Sequence, residues 1–260
     1  MGVVVRFELL GSLRVIDGCS ADSLTARKMG VVLAMLLIRA GQVVSVEELT
    51  TEVWGANPPA RSKDALYVYI SQLRKFLSRR GRHSHPIVTR SPGYLLRKDA
   101  GVLDVDCFRD LIERGRALAL AGRPGEAVDA FRAALAMWRG PALFDVRDGP
   151  VVNGYAHWLE ERRLECTEML ISALLAAGQY HEPVGWLRTL VSENPLHESL
   201  YHQLMIALYR SGRRAEALEA YQSARSVLNR ELGLEPRRSL RDLQRAILDA
   251  DEDRVLSFAG

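Results

Sequence analysis

The chain has 260 residues, of which 48% are hydrophobic and 26% charged, a composition typical of one or two globular domains and not of a disordered chain. The longest apolar run, Met29–Ile38, is about half of what spans a bilayer, and the N-terminus lacks the features of a signal peptide, so we expect a cytoplasmic protein. The net charge of +3 hides an asymmetry, because the segment 61–98 carries ten Lys and Arg against one acidic residue, as in surfaces that bind a polyanion.

The N-terminal segment has the features of a small sheet followed by a helix. Two short β-branched runs, VVVRFELL and SLRVI, predict an antiparallel hairpin with Gly11 between its strands. A helix over 26–40 should follow, because Thr25 is a suitable N-cap and Gly41 a suitable stop.

Two further helices and a second hairpin complete the first half of the chain. Ser45 and Glu48 have the spacing of a capping box, which predicts a helix that ends at Trp54, before the break GANPP. A third helix is predicted over 62–79, and the runs PIVTR and GYLLR then predict two strands around the turn SPG. The order of a strand pair, three helices and a hairpin is that of a winged helix-turn-helix domain.

An internal repeat marks the second half, where no strand is predicted. GRPGEAVDAF at Gly122 matches GRRAEALEAY at Gly212, and GQYHEPV at Gly178 lies between them. The 34 residues from Gly178 to Gly212 equal the period of a tetratricopeptide repeat, and the 56 from Gly122 to Gly178 leave an insertion of 22, which we place in 139–155. We therefore predict a mainly α fold, in which a winged helix-turn-helix with small antiparallel sheets precedes an all-α tetratricopeptide-like domain. A generic helical bundle with chance similarity is the alternative.

The third predicted helix has two distinct faces. On a helical wheel Leu66, Ile70, Leu73 and Leu77 share one apolar face, flanked by Tyr69 and Phe76. The opposite face carries Tyr67, Val68, Ser71, Gln72 and Lys75. A solvated helix face normally carries Glu and Lys pairs, whereas an amide, a hydroxyl, a β-branched residue and a lysine suit the edges of base pairs in a major groove. The alternative is that Tyr67 and Val68 pack against another part of the protein.

The turn between the last two strands carries Arg90. An Arg at such a wing tip is suited to a DNA minor groove, where the potential is most negative.

Motifs along nearly the whole chain resemble one family. In the first half these are VVSVEEL, VWG and NPPA, ALYVYISQLRKFL and IVTRSPGYLL; in the second they are FRAALAMWRGPAL, LEERRLECTE, NPLHESLYHQLMIALYRSGRRAEALEAYQSAR and LNRELGLEP. The chain resembles the SARP-type antibiotic regulatory proteins, in which an OmpR-like winged helix precedes a bacterial transcriptional activator domain. The resemblance implies domains at 1–99 and 100–260. It also implies an activator that binds direct repeats in promoters of secondary-metabolite genes, as a dimer or as paired protomers, and recruits RNA polymerase holoenzyme.

The resemblance also assigns roles to residues. It makes the face of Tyr67, Val68, Ser71, Gln72 and Lys75 the base reader and Arg90 the wing contact. The residues expected to contact DNA phosphates are Arg61, Ser62, Lys63, Arg74, Arg79 and Lys28. Gly30 departs from the pattern, because many relatives carry Arg near the start of the first helix.

Other functional classes find little support in the sequence. We find no G-x-S-x-G, H-E-x-x-H or P-loop motif, so we expect no enzyme, no ATP and no other cofactor, nor the nucleotide-binding module of longer family members. We assign His83 and His85 to a solvated turn rather than a metal site, and the three cysteines to reduced thiols. The serious alternative is a tetratricopeptide scaffold whose basic N-terminal domain binds a protein partner or RNA. RNA readers usually carry stacking aromatics on a sheet or loop, so aromatics on a helix favour duplex DNA.

Overall fold

A computed structural model of the chain describes residues 5–17, 20–23, 26–78, 86–251 and 255. These residues pack as two units, residues 1–111 with 133–164 and residues 112–132 with 165–260, which are described separately below. The mainly α fold with small sheets is confirmed.

The strands are β1 Arg6–Glu8, β2 Arg14–Asp17, β3 Ser20–Ser23, β4 Val43–Ser45, β5 Ile87–Arg90, β6 Gly93–Leu96 and β7 Val102–Leu103. The helices are α1 Arg27–Ile38, α2 Val46–Trp54, α3 Ser62–Ser78, α4 Asp104–Leu120, α5 Pro124–Leu135, α6 Pro150–Ala176, α7 Pro183–Glu193, α8 Glu198–Arg210, α9 Arg214–Leu232 and α10 Arg238–Asp249. None of the helices in the described part of the chain is long and apolar enough to cross a membrane.

The N-terminal sheet has the order β3-β2-β1-β7. β1 and β2 pair antiparallel, with Phe7 opposite Val15, which confirms the predicted hairpin. β7 pairs parallel to β1 and was not predicted, because two residues are too short to show a strand period. The sheet therefore joins the beginning of the chain to the segment that follows the wing.

The three helices of the winged helix begin and end close to their predicted positions. α1 is almost entirely buried and is followed by Gly41 at φ +82°. Its N-cap residue is Ala26, whereas the predicted cap Thr25 lies outside the described residues. The capping box of α2 is confirmed, because the N–H of Glu48 donates to Ser45 Oγ at 3.1 Å and the N–H of Ser45 donates to Glu48 Oε2 at 2.8 Å. These bonds hold the pKa of Glu48 below its usual value.

The wing is a three-stranded sheet of order β4-β6-β5. The predicted β5–β6 hairpin is confirmed, and β4 adds a strand on the other side of β6, with Ser45 opposite Gly93. A Cβ at Gly93 would lie 1.9 Å from the carbonyl oxygen of Val44, so only glycine permits this approach. Because Ser45 is also the N-cap of α2, the wing and α2 are fixed to each other at this residue.

The predicted helix-glycine-helix pattern is present at all three repeat positions. Gly122, Gly178 and Gly212 have φ values of +70°, +77° and +77°, and they follow α4, α6 and α8. Glycine adopts this left-handed conformation without strain, which lets the chain turn back at each position. In the second unit α8 packs between α7 and α9, and α10 packs on α8 and α9 around one apolar core.

Residues 139–152, here called the interlock segment, belong to the same unit as the winged helix. The backbone N–H of Leu143 donates to the carbonyl oxygen of Leu9 at 3.1 Å, and that of Leu13 donates to Asp145 Oδ1 at 3.0 Å. Gly30 is buried against this segment, since a Cβ there would lie 2.9 Å from a methyl carbon of Val146. A larger side chain at Gly30 would therefore require Val146 to move.

Two buried carboxylates hold the interlock segment and its neighbours in place. Asp104, which is 2% exposed, accepts hydrogen bonds from the N–H groups of Leu9 and Leu10 at 2.8 to 3.0 Å. Glu52 of α2, also 2% exposed, accepts from the N–H of Val151 at 3.0 Å and of Val152 at 2.8 Å. Glu52 thereby binds the first turn of α6, where free N–H groups and the helix dipole favour a negative charge.

Candidate nucleic-acid interface

The helix α3 buries one face and exposes the other, as its sequence predicts. Its buried apolar residues are Leu66, Ile70, Leu73 and Leu77. The five predicted base readers, Tyr67, Val68, Ser71, Gln72 and Lys75, are all exposed. Tyr67 is 50% and Val68 52% exposed, so within the described residues neither is packed away as a core residue would be. An exposed aromatic beside an exposed β-branched residue forms an apolar strip flanked by polar groups.

Arg74 links α3 to the wing. Its Nε donates to the carbonyl oxygen of Ile87 at 3.0 Å, and its Nη2 donates to Thr89 Oγ1 at 2.8 Å. The guanidinium carbon also lies 5.7 Å from the ring centroid of Tyr94, within the range of a cation–π contact. Arg74 therefore fixes the distance between α3 and β5, while the phosphate contact expected of it stays a prediction.

Tyr94 connects this arrangement to the exposed face of α3. Burial raises the pKa of the Tyr94 hydroxyl, and the neighbouring Tyr67 raises it further. The Tyr94 ring forms part of the base of the wing, whereas Tyr67 extends toward solvent. The base of the wing and the predicted reading face are therefore adjacent.

Arg90 is exposed at the end of β5, opposite Gly93 across the hairpin. Ser91 and Pro92, which form the turn, are exposed as well. The wing thus presents the guanidinium of Arg90 to solvent at its tip.

The residues predicted to contact phosphates differ in their surroundings. Arg61 and Lys63 are exposed at the start of α3, whereas Ser62 between them is only 7% exposed. The Lys28 ammonium lies 5.2 Å from the Trp54 ring centroid, and Trp54 in turn stacks on Tyr69 with centroids 6.1 Å apart. Arg79 lies outside the described residues, as do His83 and His85.

Sequence reasoning missed the roles of Arg74 and Trp54. Each residue bridges two elements that are separated in sequence, α3 with β5 for Arg74 and α1 with α3 for Trp54. Helical spacing carries no signal for such bridges. The one available hint was the position of Arg74 on the rim of the α3 wheel, between the buried and exposed faces.

The described residues include no group of three or more His, Cys, Asp and Glu side chains arranged to hold a metal ion. The chemistry of the α3 and wing surface is that of hydrogen-bond donors, acceptors and cations around an apolar strip. Groups of these kinds make the hydrogen bonds and ion pairs of recognition surfaces.

Comparison with known proteins agrees with this arrangement. The family model described as transcriptional regulatory protein, C terminal, matches residues 23–96, and the bacterial transcriptional activator domain matches residues 103–248. The transcriptional regulator RedD of Streptomyces coelicolor is 37% identical over 253 residues, which are 96% of this chain and 72% of RedD. The regulatory protein DnrI of Streptomyces peucetius is 38% identical over 253 residues, which are 95% of this chain and 93% of DnrI.

A solved structure has the same architecture. Mycobacterium tuberculosis EmbR, in complex with a low-affinity phosphopeptide, superposes with a TM-score of 0.91 at 32% identity, over 99% of this chain and 68% of EmbR. Both family models, the full-length similarity to DnrI and the shared fold lead to one assignment. The chain belongs to the SARP-type antibiotic regulatory proteins, transcriptional activators that join an OmpR-like winged helix to a bacterial transcriptional activator domain.

Proposed function

We propose that the chain binds promoter DNA by placing α3 in a major groove and Arg90 in the adjacent minor groove. The observation that carries the proposal is the exposed face of α3, on which Tyr67 and Val68 are half exposed beside Ser71 and Gln72. At about 1.5 Å per residue, the 17 residues of α3 give a helix of about 26 Å, long enough to lie along the groove.

Each residue on this face has a chemical role that fits a base edge. The Gln72 amide can donate to adenine N7 and accept from adenine N6, and the Ser71 hydroxyl can donate to or accept from the edge of a base. Val68 offers an apolar surface to a thymine methyl group, and Lys75 can donate to guanine O6 or N7. Tyr67 lies next to the wing, where its ring can pack against a sugar or its hydroxyl can bond to a phosphate.

The contacts to the DNA backbone come mainly from cations around α3. Arg61 and Lys63 are placed at its N-terminus, and Lys28 is held by Trp54 at the edge of the same three-helix unit. In this proposal Arg61, Ser62, Lys63, Arg74, Arg79 and Lys28 contact phosphates. Arg74 has the additional role of holding the wing in register with α3, because it donates to β5 at two points.

The finer identity of the partners is also part of the proposal. We infer two functional domains, 1–99 for DNA and 100–260 for activation, of which the second contacts RNA polymerase holoenzyme. Two protomers bind direct repeats in promoters of secondary-metabolite genes in the nucleoid, within the cytoplasm. The similarity to RedD and DnrI, both regulators from Streptomyces, supports this reading.

Selection of binding sites from a random duplex library with the full chain tests the proposal. The selected duplex is then titrated at several salt concentrations by fluorescence anisotropy. About five cationic phosphate contacts per protomer give a slope of log K against log salt of roughly −4 or steeper. A flat salt dependence, or tighter binding to single-stranded RNA of the same sequence, would overturn it.

A further inference from the structure

The second unit contains a cavity that is lined by none of the residues proposed to contact DNA. It has a volume of about 650 Å³ and lies between the end of α4, the turn into α5, and the second half of α6. The residues that define it are Arg116, Ala119, Leu120, Phe131, Met169 and Ala173. Its size falls in the range of pockets that hold small organic ligands.

The walls of the cavity are mainly apolar, and its floor is tightly packed. Phe131 is 1% exposed and forms the floor, and its ring packs so closely on Gly115 that a Cβ there would lie 2.5 Å from a ring carbon. Leu120 is 90% exposed at the mouth. The small side chains Ala119 and Ala173 leave the space between floor and mouth open. A ligand with an apolar body would cover Leu120 and exclude water from these walls.

One charged donor at the cavity is bonded to a weak acceptor. Arg116 Nε donates to the thioether sulfur of Met169 at 3.2 Å, although a thioether is among the poorest acceptors in proteins. Arg116 Nη1 donates to Glu113 at 2.8 Å, but Glu113 is an exposed carboxylate that does not line the cavity. A carboxylate or sulfonate oxygen inside the cavity would therefore give Nε a much stronger partner than it has now.

Ser172 and Cys166 lie near this donor. Ser172 lines the cavity, and its oxygen accepts from Gln203 Nε2 at 2.9 Å, which leaves its own O–H free to donate to a ligand. Burial raises the pKa of the nearby Cys166 thiol to about 12, against a smaller opposite effect of Arg116. The Arg116 side chain is itself 45% exposed, so its guanidinium lies at the open side of the cavity, where an anion can reach it.

We propose that this cavity binds a small molecule with an apolar, ring-sized body and one anionic group, which bonds to Arg116. The apolar body contacts Phe131, Leu120 and Met169. The anionic group replaces the sulfur as acceptor from Arg116 Nε and also accepts a hydrogen bond from the Ser172 hydroxyl.

A pair of probes with matched bodies tests the proposal. 8-Anilinonaphthalene-1-sulfonate has an apolar body and a sulfonate, and N-phenyl-1-naphthylamine has nearly the same body without charge. We expect saturable binding of the sulfonate to the full chain, and Arg116→Met should weaken it by about tenfold or more while leaving the neutral probe unchanged. Equal loss of both probes, or no effect on either, would overturn the anionic part of the proposal.

Blocking variants locate the site. Ala119→Trp and Ala176→Trp place a large side chain in the cavity from exposed positions, and Ala117→Trp is the matched control on an exposed position of α4 outside the lining. Either blocking variant should abolish binding of both probes, with thermal unfolding and DNA binding unchanged, whereas the control should bind like the parent. Binding that survives both blocking variants, or that is absent in the parent, would show that this cavity is not a ligand site.

Discussion

Replacing Glu52 by Ala should destabilise the unit that contains the winged helix. Glu52 is 2% exposed and accepts from the N–H groups of Val151 and Val152, so the change leaves one half-buried and one buried donor without an acceptor. Each such donor costs about 1–3 kcal/mol, and removing a buried charge offsets part of this, so we expect a loss of about 3 kcal/mol. For a unit of this size that corresponds to a fall in Tm of about 6–12 °C.

Differential scanning calorimetry of the full chain measures this effect. Glu52→Gln keeps one acceptor oxygen and should fall about halfway between the parent and Glu52→Ala. Glu47→Ala is the matched control, because it removes an exposed carboxylate from the first turn of the same helix and should cost less than about 1 kcal/mol. If Glu52→Ala had the same Tm as Glu47→Ala, the bonds from Glu52 to the start of α6 would not stabilise the unit.

Three further predictions concern the same unit. Burial raises the pKa of Asp104 above its usual 3.8 despite its N–H donors, so its contribution to the unfolding free energy should decrease as pH rises from 3.8 through the folded pKa. The unfolding free energy of the parent minus that of Asp104→Asn, both measured in urea, should therefore decrease as pH rises across that range. An increase would contradict the prediction. Gly93→Ala should lower the unfolding free energy by about 3 kcal/mol, because a Cβ would lie 1.9 Å from a β4 carbonyl oxygen. Gly154→Ala on α6, with open space around it, is the control and should be neutral or stabilising in the same calorimetric measurement. Arg74→Met should release the wing from α3, and a double-mutant cycle with Arg90→Ala in DNA titrations should show a coupling above about 0.5 kcal/mol; additive losses would mean that Arg74 does not position the wing.

The sequence predicted those features that depend on neighbours along the chain. The capping box at Ser45 and Glu48 and the apolar stripe of α3 rest on spacings within about three helical turns, and the glycine after α8 rests on its match to the earlier repeats. Such patterns determine local geometry, so they can be recognised in the sequence alone.

The features that were not predicted depend on distant partners. Glu52 bonds to residues 99 and 100 positions away, and Asp104 bonds to Leu9 across 95 positions. β7 has two residues, too few to show an alternation of apolar and polar side chains, and β4 is recognised only from its pairing with the distant β6. The interlock segment was recognised only as an insertion, since nothing in its composition indicates what it packs against. For this reason DNA binding is best measured on the full chain, because a fragment ending at residue 99 lacks these bonds.

The most direct test of base reading by α3 compares the parent and Gln72→Ala on one selected site and on all its single-base variants. We predict that Gln72→Ala loses about 1–3 kcal/mol of discrimination at one base pair and keeps the parent's preferences elsewhere. A uniform loss of affinity on every variant, with the pattern of preferences unchanged, would contradict the assignment of this face to the edges of base pairs.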